Sequence, residues 1–481
     1  MPAVTQLIPN FLGGVSRQND DKKLLGQVTE CVNGYPDPTY GLLKRPGMKH
    51  TNVLKKADGT AFTKAELDGA AWFFIERDAA GSYIGAIKGA NIYVWTAADG
   101  TWCTVTNNGA SYLTGTKQTD YHFRSVQDVT VISNKTVTTA MQAAGTFVSG
   151  AVATLKLLSV IDAASYEVTI QGIVTTVTAQ SSTTFDDMLI YDGSSINTNH
   201  HLVDAIKATI DAQHAASNAD VAGVWHLEGY TNSLVIKRTT GTNAVVTNYS
   251  ATSGTDVTFS IAAKGGYGNT AIQAFQDDVN DIVELPAESF HNHFVRVLNT
   301  DSADDDYHLK YIAYDSLRGR GYWKETVARD TSPGLDAATM PYQLENTGAL
   351  TFAFNPIPWK AREAGDDVTS PLPSFIGFPV QASFFYSNRF GLLSQDNVIF
   401  GVSNDTFNFF IKSALTQVDS DPIDLNVSSV RPVTLSDVLP SPQGLLLFSA
   451  RQQFQVYSTD ASILTPTTAV IRSLSNYEMA T

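Results

Sequence analysis

Cysteine is almost missing from this chain: Cys31 and Cys103 are the only two among 481 residues. Two thiols build neither a disulfide framework nor a four-thiolate zinc site, which excludes both as organisers of the fold. Charge is scarce too. Only 16% of residues are charged, below the usual quarter, and the basic ones are the rarer, 32 against 47 acidic. The formal net charge is −15 and the pI is near 4.9. Tight grip on nucleic acid needs Lys and Arg opposite phosphates, so this balance argues against it. It does not argue against a protein past which DNA slides. No apolar run approaches the length of a membrane span, and Met1 to Asn10 lacks the basic-then-apolar layout of a signal peptide. The chain therefore reads as soluble, with no membrane insertion.

What is present is turn chemistry. The chain carries 34 Gly and 18 Pro, with many Thr, Ser, Asn and Asp, a mix that suits short strands rather than helices. Its length calls for roughly three domains, fewer if large β units occur. Tyr83 to Ile87, Ile92 to Trp95 and Trp102 to Val105 are apolar segments separated by turn residues, which reads as a β-meander. Further meanders run from Phe294 to Val327, from Ala382 to Val402 and from Leu445 to Tyr457. Two of them echo each other. Ile92 to Trp95 leads through Gly100 to Trp102, and Ile312 to Tyr314 leads through Gly321 to Trp323.

Repeated antiparallel meanders predict propeller blades. The expected fold is mainly β: propeller-like meanders with an inserted α+β domain. Residues 151–265 break the pattern. Tyr166, Val168 and Ile170 alternate as a strand, and Asn197 to Asn199 offer N-cap chemistry. Leu202, Val203, Ile206 and Ile210 then share one helical face through about Ala216. Val221 to Leu227 and Leu234 to Ile236 follow as a hairpin. The expected division is an N-terminal arm over 1–50, a first propeller or platform part over 51–150, the insertion over 151–265, and further blades over 266–481.

Certain stretches carry more than pattern. Phe11-Leu12-Gly13-Gly14-Val15-Ser16-Arg17-Gln18, Val32-Asn33-Gly34-Tyr35 and Gly41-Leu42-Leu43-Lys44-Arg45-Pro46 open the series. Tyr322 to Thr326, Thr339-Met340-Pro341 and Pro373 to Gly377 follow it, and the longest run spans Phe384 to Ser394 and Asn397 to Ile399. Asn408-Phe409-Phe410 and Asp419 to Asp424 continue it. In order and spread, these stretches resemble the tail tubular protein B family, the tail nozzle proteins of short-tailed, podovirus-type bacteriophages. That resemblance implies a virion protein of the phage tail, assembled in the host cytoplasm. It implies a homo-hexamer ring at the distal end of the tail tube, below the tail adaptor protein, with a propeller-like body around a channel for double-stranded DNA. It also implies closure of the exit until infection and anchoring of the tail fibre protein. Family members run well beyond this length, so Thr481 is expected to fall inside the propeller region, leaving the blades incomplete.

The site search yields surfaces rather than chemistry. Phe11, Leu12, Leu42, Leu43, Lys44 and Arg45 are candidates for ring or adaptor contact, because the Gly- and Pro-rich opening reads poorly as a blade. Asp301, Asp304, Asp305 and Asp306 form the densest acidic run and are candidates for a channel wall or mouth. They lack the spaced oxygens and turn glycine of a calcium loop, and a solvated loop is their plain alternative. His291 and His293 share a strand face, but no third ligand lies near, which favours strand packing over metal. Arg389, among aromatic strands, is expected to pair with a carboxylate such as Asp396. Asp419, Asp421 and Asp424 fit the residue types of a glycosidase pair, while turn and cap chemistry explains them more cheaply. There is no Gly-x-Ser-x-Gly elbow, and Gly115-Thr116-Lys117 lacks the spacing of a phosphate loop. No cofactor or metal and no enzymatic activity is expected. The reading is a structural conduit; the alternative is a tail-borne β-scaffold hydrolase or lectin acting on host-surface glycan.

Overall fold

A computed structural model describes residues 10–476, apart from 79–80, 146, 148, 162, 171, 180–197, 217–223, 231, 240–260, 266, 299–305, 430 and 460–462. The chain is mainly β, 46% strand and 7% helix, so sheets position every surface discussed below. Its hub is an eight-stranded sheet curled into a nearly closed barrel. In chain order the staves are β1 (Ala71–Asp78), β2 (Gly81–Lys88), β3 (Asn91–Thr96), β4 (Trp102–Asn107), β5 (Tyr121–Val126), β6 (Val129–Asn134), β7 (Tyr342–Gly348) and β8 (Thr351–Pro356).

Around the barrel they run β1-β2-β3-β4-β8-β7-β6-β5. Every neighbouring pair is antiparallel except β4 and β8, whose parallel ladder matches Thr104 to Thr351 and Asn107 to Phe354. The remaining seam, between β1 and β5, is bridged by side chains. Gln118 Oε1 accepts from Trp72 N at 2.6 Å, its Nε2 donates to Trp72 O at 2.9 Å, and the Phe73 and Phe123 rings stack at 4.5 Å.

Period-two alternation decides what fills the barrel. Tyr83, Ile87, Ile92 and Val94 point inward, joined by Phe73, Tyr112, Ile132, Leu344, Phe352 and Phe354 in one buried cluster. Each such side chain contributes about 1.5–3 kcal/mol on burial. Gly85 has a specific task here, since a Cβ on it would stand 2.0 Å from Cζ of Phe73. The barrel is thus a packed core and has no bore of its own.

Both outer flanks are covered. On β3, Tyr93 and Trp95 face outward beneath residues 54–70; Trp95 is fully buried and its Nε1 donates to Lys55 O at 2.7 Å. On the opposite flank, Val131 packs with Met340, Phe375, Phe390 and Ile399. Phe390 and Ile399 belong to a four-stranded meander of Ala382–Tyr386, Arg389–Ser394, Asn397–Phe400 and Ile423–Asn426. A second meander follows, Leu435–Ser441, Gly444–Ser449, Gln453–Ser458 and Ala469–Ser475, and the two share a core through Phe384, Phe400, Leu447 and Phe454.

Residues 152–275 form a separate cluster. Val152–Leu157 pairs with Ser233–Thr239 and with Ile272–Phe275, while Ser165–Ile170 pairs with Ile173–Thr178 and Ile261–Gly265. The helix Thr198–Ala216 sets Leu202, Val203, Ile206 and Ile210 against Leu155, Tyr166, Val168 and Ile236, the apolar face read from the sequence. Of the stretch Asn197 to Asn199 expected to cap it, Asn197 lies outside the described residues and Thr198 and Asn199 open the helix. The hairpin strands run further than expected, to Tyr230 and from Ser233. A small five-stranded sheet follows, with Phe294–Val297, Tyr307–Ala313 and Arg318–Thr326 at its centre.

The sheets do not show the expected propeller. The first meander, expected as a blade, instead curls until its last strand pairs in parallel with β8, as part of the nearly closed barrel. The echo between Trp102 and Trp323 does not mark equivalent positions either. Trp102 lies outside the barrel, and Trp323 packs on the small core of the five-stranded sheet.

The Gly85–Phe73 contact is testable. Gly85→Ala is expected to cost about 1–3 kcal/mol of unfolding free energy by overpacking. Combined with Phe73→Leu, it should cost less than the sum of the two single changes. Urea denaturation of the three variants measures this, and strict additivity would show that the ring does not fill the space above Gly85.

Candidate functional site

The titratable residues singled out in the sequence are mostly structural. His293 is buried, with Nδ1 2.7 Å from Ser289 Oγ, and burial pushes its pKa down to about 3. His291 Nδ1 instead accepts from Ala313 N at 3.3 Å, so the two imidazoles serve different partners. No group of three or more His, Cys, Asp or Glu able to hold a metal occurs among the described residues. Cys103 points into the barrel, and burial pushes its thiol up to about 11.

Arg389 corrects the sequence reading. Its guanidinium does not pair with Asp396. Nη1 donates to the carbonyls of Gly401 (2.8 Å), Ser420 (3.0 Å) and Asp421 (2.6 Å), and Nη2 to those of Asp419 (2.6 Å) and Leu464 (3.4 Å). A planar fork of donors suits a cage of carbonyls that no point-like ammonium spans. Asp396 instead accepts from Asn426 Nδ2 at 2.9 Å.

The acidic trio is engaged in local bonds as well. Asp424 accepts from Ser374 N and Oγ, Asp421 accepts from Val418 N, and Asp419 supplies a carbonyl to Arg389. Of the acidic run, Asp301, Asp304 and Asp305 lie outside the described residues. Asp306 is largely buried, 3.8 Å from Arg296 Nη1.

The surface that stands out is the arm. No residue of 10–53 is buried. Its order comes from backbone bonds: Ser16 N donates to Val28 O, Val28 N to Gly14 O, and Gly13 N to Gly26 O. A hairpin of Gly34–Asp37 and Gly41–Lys44 follows, its turn fixed by Asp37 Oδ1 accepting from Thr39 N and Tyr40 N. The candidates Phe11, Leu42 and Leu43 are exposed, Leu12 is half-buried, and Lys44 and Arg45 face solvent. Sequence reasoning missed the most exposed apolar residues, Leu24, Leu25, Val32, Tyr40 and Met48. An ordered segment with this much uncovered apolar surface is built for contact with something else.

The profile of bacteriophage nozzle proteins matches residues 1–481. The chain belongs to the bacteriophage nozzle protein family. It is also similar to the tail tubular protein gp12 of Escherichia phage T7, with 26% identity over 459 residues. That match covers 94% of this chain and 53% of the T7 protein, so the chain spans about half the length of that curated relative. In this nozzle-family chain the body is a set of packed sheets, and the arm is the part left without a core of its own.

Two outcomes follow from these buried groups. Arg389→Ala leaves several carbonyls without a donor and is expected to cost about 3–5 kcal/mol, with Arg389→Lys recovering only part of it. Thermal and urea unfolding measure both, and a loss under 1 kcal/mol would contradict the cage.

The second outcome concerns pH. His122 joins the barrel to the next sheet, accepting from Ser383 N at 3.3 Å, and burial with help from Arg124 pushes its pKa down to about 4. Lys135 also lowers it and Asp437 opposes. Below the ordinary histidine value the unfolded chain takes up a proton that the folded chain refuses. Stability is therefore full above about pH 6.5 and falls toward pH 4, by up to about 1.4 kcal/mol per pH unit for this group. His122→Gln should flatten that slope; an unchanged slope would place the titration elsewhere.

Proposed function

We propose that this chain is a structural subunit of a phage tail nozzle. It forms a ring with copies of itself at the distal end of the tail tube, around the path by which double-stranded DNA leaves. The observation that carries this reading is the match to the nozzle family along the whole chain. The packed barrel supports it physically. Among the described residues the barrel is filled by side chains, so in this reading a conduit runs between copies rather than through a barrel.

The net charge supports a channel to which DNA does not adhere. Six copies carry about 6 × −15 = −90 formal charges, and like charge repels phosphate. In this reading Asp301, Asp304 and Asp305 are the candidates for the mouth of the path, and Asp306, largely buried beside Arg296, is not. Residues 151–265, with their own core, project outward as the dock for a tail fibre. The two meanders from Ala382 to Ser475 act as blade-like units. The arm, through Phe11, Leu12, Leu42, Leu43, Lys44 and Arg45, contacts a neighbouring copy or the adaptor. Closing of the exit before infection belongs to the assembled ring.

Sedimentation of the full chain and of a form lacking residues 1–46 tests the ring and the arm together. The expected result is a six-membered species that shifts to smaller ones when the arm is removed. Rings of unchanged stability without the arm would remove it from the ring contacts.

A further inference from the structure

The cluster formed by residues 152–275 is tied to the rest of the chain through a narrow, polar joint. Its core holds only residues between Ala153 and Ala274. Of the described residues 152–275, only Phe275 joins the neighbouring core of Val279, Leu285, Val295 and Leu309. Lys156 Nζ also reaches across, donating to the carbonyls of Val283 and Leu285. The chain crosses the joint twice, entering at Gly150 and leaving at Gln276, and the crossings are bonded to each other. Asp277 Oδ2 accepts from Ser149 Oγ and from Gly150 N, the latter at 2.7 Å. Gln276 Nε2 donates to Gly150 O at 3.2 Å. Gly150 takes a φ of 73°, which glycine adopts without strain. Two adjacent crossings, a glycine at one of them and little apolar contact around both make a hinge.

One side chain sits against both crossings. Arg329, on the return to the barrel, has Nη2 donating to Asp277 O and, at 3.0 Å, to Asp278 Oδ1. Its guanidinium lies 4.6 Å from the centre of the Phe147 ring and 5.5 Å from that of Phe294. It is thus held by cation–π attraction between the entering segment and the five-stranded sheet. Arg296 binds the same Asp278 through Nε at 3.1 Å and Nη2 at 3.0 Å. Beside Arg329, Asp330 Oδ1 accepts from Phe147 N at 3.1 Å. Entry, exit, sheet and return therefore meet at one planar cation, whose edge donates while its faces stack. The Arg329 side chain is only 19% exposed, so salt screens its bonds weakly.

We infer that Arg329 locks this hinge. Its guanidinium fixes the angle of residues 152–275 to the barrel, and without it the unit swings as a folded body about Gly150 and Gln276. The lock does not depend on what the unit docks, so fibre attachment can fail while the lock holds.

The test reads the angle directly. Thr176 in the unit and Asn91 on the barrel are exposed. Each is changed to Cys in the full chain, with Cys31→Ser, and the buried Cys103 is left in place. Both sites are spin-labelled, and labelled chain is diluted in unlabelled chain so that only distances within one copy count. Double electron–electron resonance is expected to give one narrow distance, and a distribution about twofold broader or more with Arg329→Ala. Arg329→Lys keeps the charge but not the fork, and is expected to recover part of the narrowing. Hydrogen exchange over Thr198–Ala216 should stay unchanged, since the unit keeps its core. Where Arg329→Ala does not fold, Asp278→Asn, which keeps the shape and removes the charge, decides by the same readout. A distribution already broad with Arg329 in place, or one still narrow without it in a folded chain, overturns the inference. So does loss of protection in the helix, which would show that Arg329 holds the unit's fold and not its angle.

Discussion

The parallel ladder between Trp102–Asn107 and Thr351–Pro356 is the constraint on which the rest of the molecule hangs. It joins segments about 247 residues apart, as the neighbouring Asn108–Asn355 bond also does. Without it the first meander is an open sheet with a free edge, a poor structure in water. With it, β7 and β8 bring Tyr342, Leu344, Phe352 and Phe354 into the barrel and complete the core. The entropy of closing so long a loop rises only slowly with length, about 0.6 kcal/mol per doubling. That slow rise lets a chain insert three further sheets and a helix between staves of one barrel.

The same closure fixes what each surface can do. The inside of the barrel is filled, one outer flank is sealed by residues 54–70, and the other by the meander that holds Arg389. The carbonyl cage around Arg389 ties that meander to Leu464 of the following unit, so the body from the barrel to the last sheet is continuous in its bonds. The arm is the opposite case. It has backbone order and no core, which is how a segment behaves when its apolar partners lie on another molecule. A packed body and an unburied arm are what support the proposal of an assembling subunit, and the family match is what sets that proposal in a phage tail.

Much of this was legible in the sequence, for local reasons. Alternation from Tyr83 to Val94 and the helical spacing of Leu202, Val203, Ile206 and Ile210 are written in neighbouring residues, and the strands and helix lie where those patterns fall. The barrel was not legible. A parallel ladder between distant strands leaves no signal in either one, and a meander bound for a barrel reads like a meander bound for a blade. Arg389 shows a second limit. Its partners are carbonyls, which every residue carries, so no side-chain pattern announces them; a carboxylate was the visible guess. The arm divides the same way. The motif stretches marked Phe11 and Leu42, whereas the exposure of Leu24 and Leu25 emerges only once the turn at Gly26 is seen.

The central claim is that the conduit lies between copies of a chain whose own barrel is solid. The most direct measurement is an electron cryomicroscopy map of a tail containing this protein, with the barrel staves traced. The account predicts several copies around one axis, each barrel filled by Phe73, Tyr83, Leu344 and Phe354, with the lumen bounded by the outer surfaces of neighbouring copies. A single copy on the axis, with DNA running through a barrel emptied of those side chains, would contradict it.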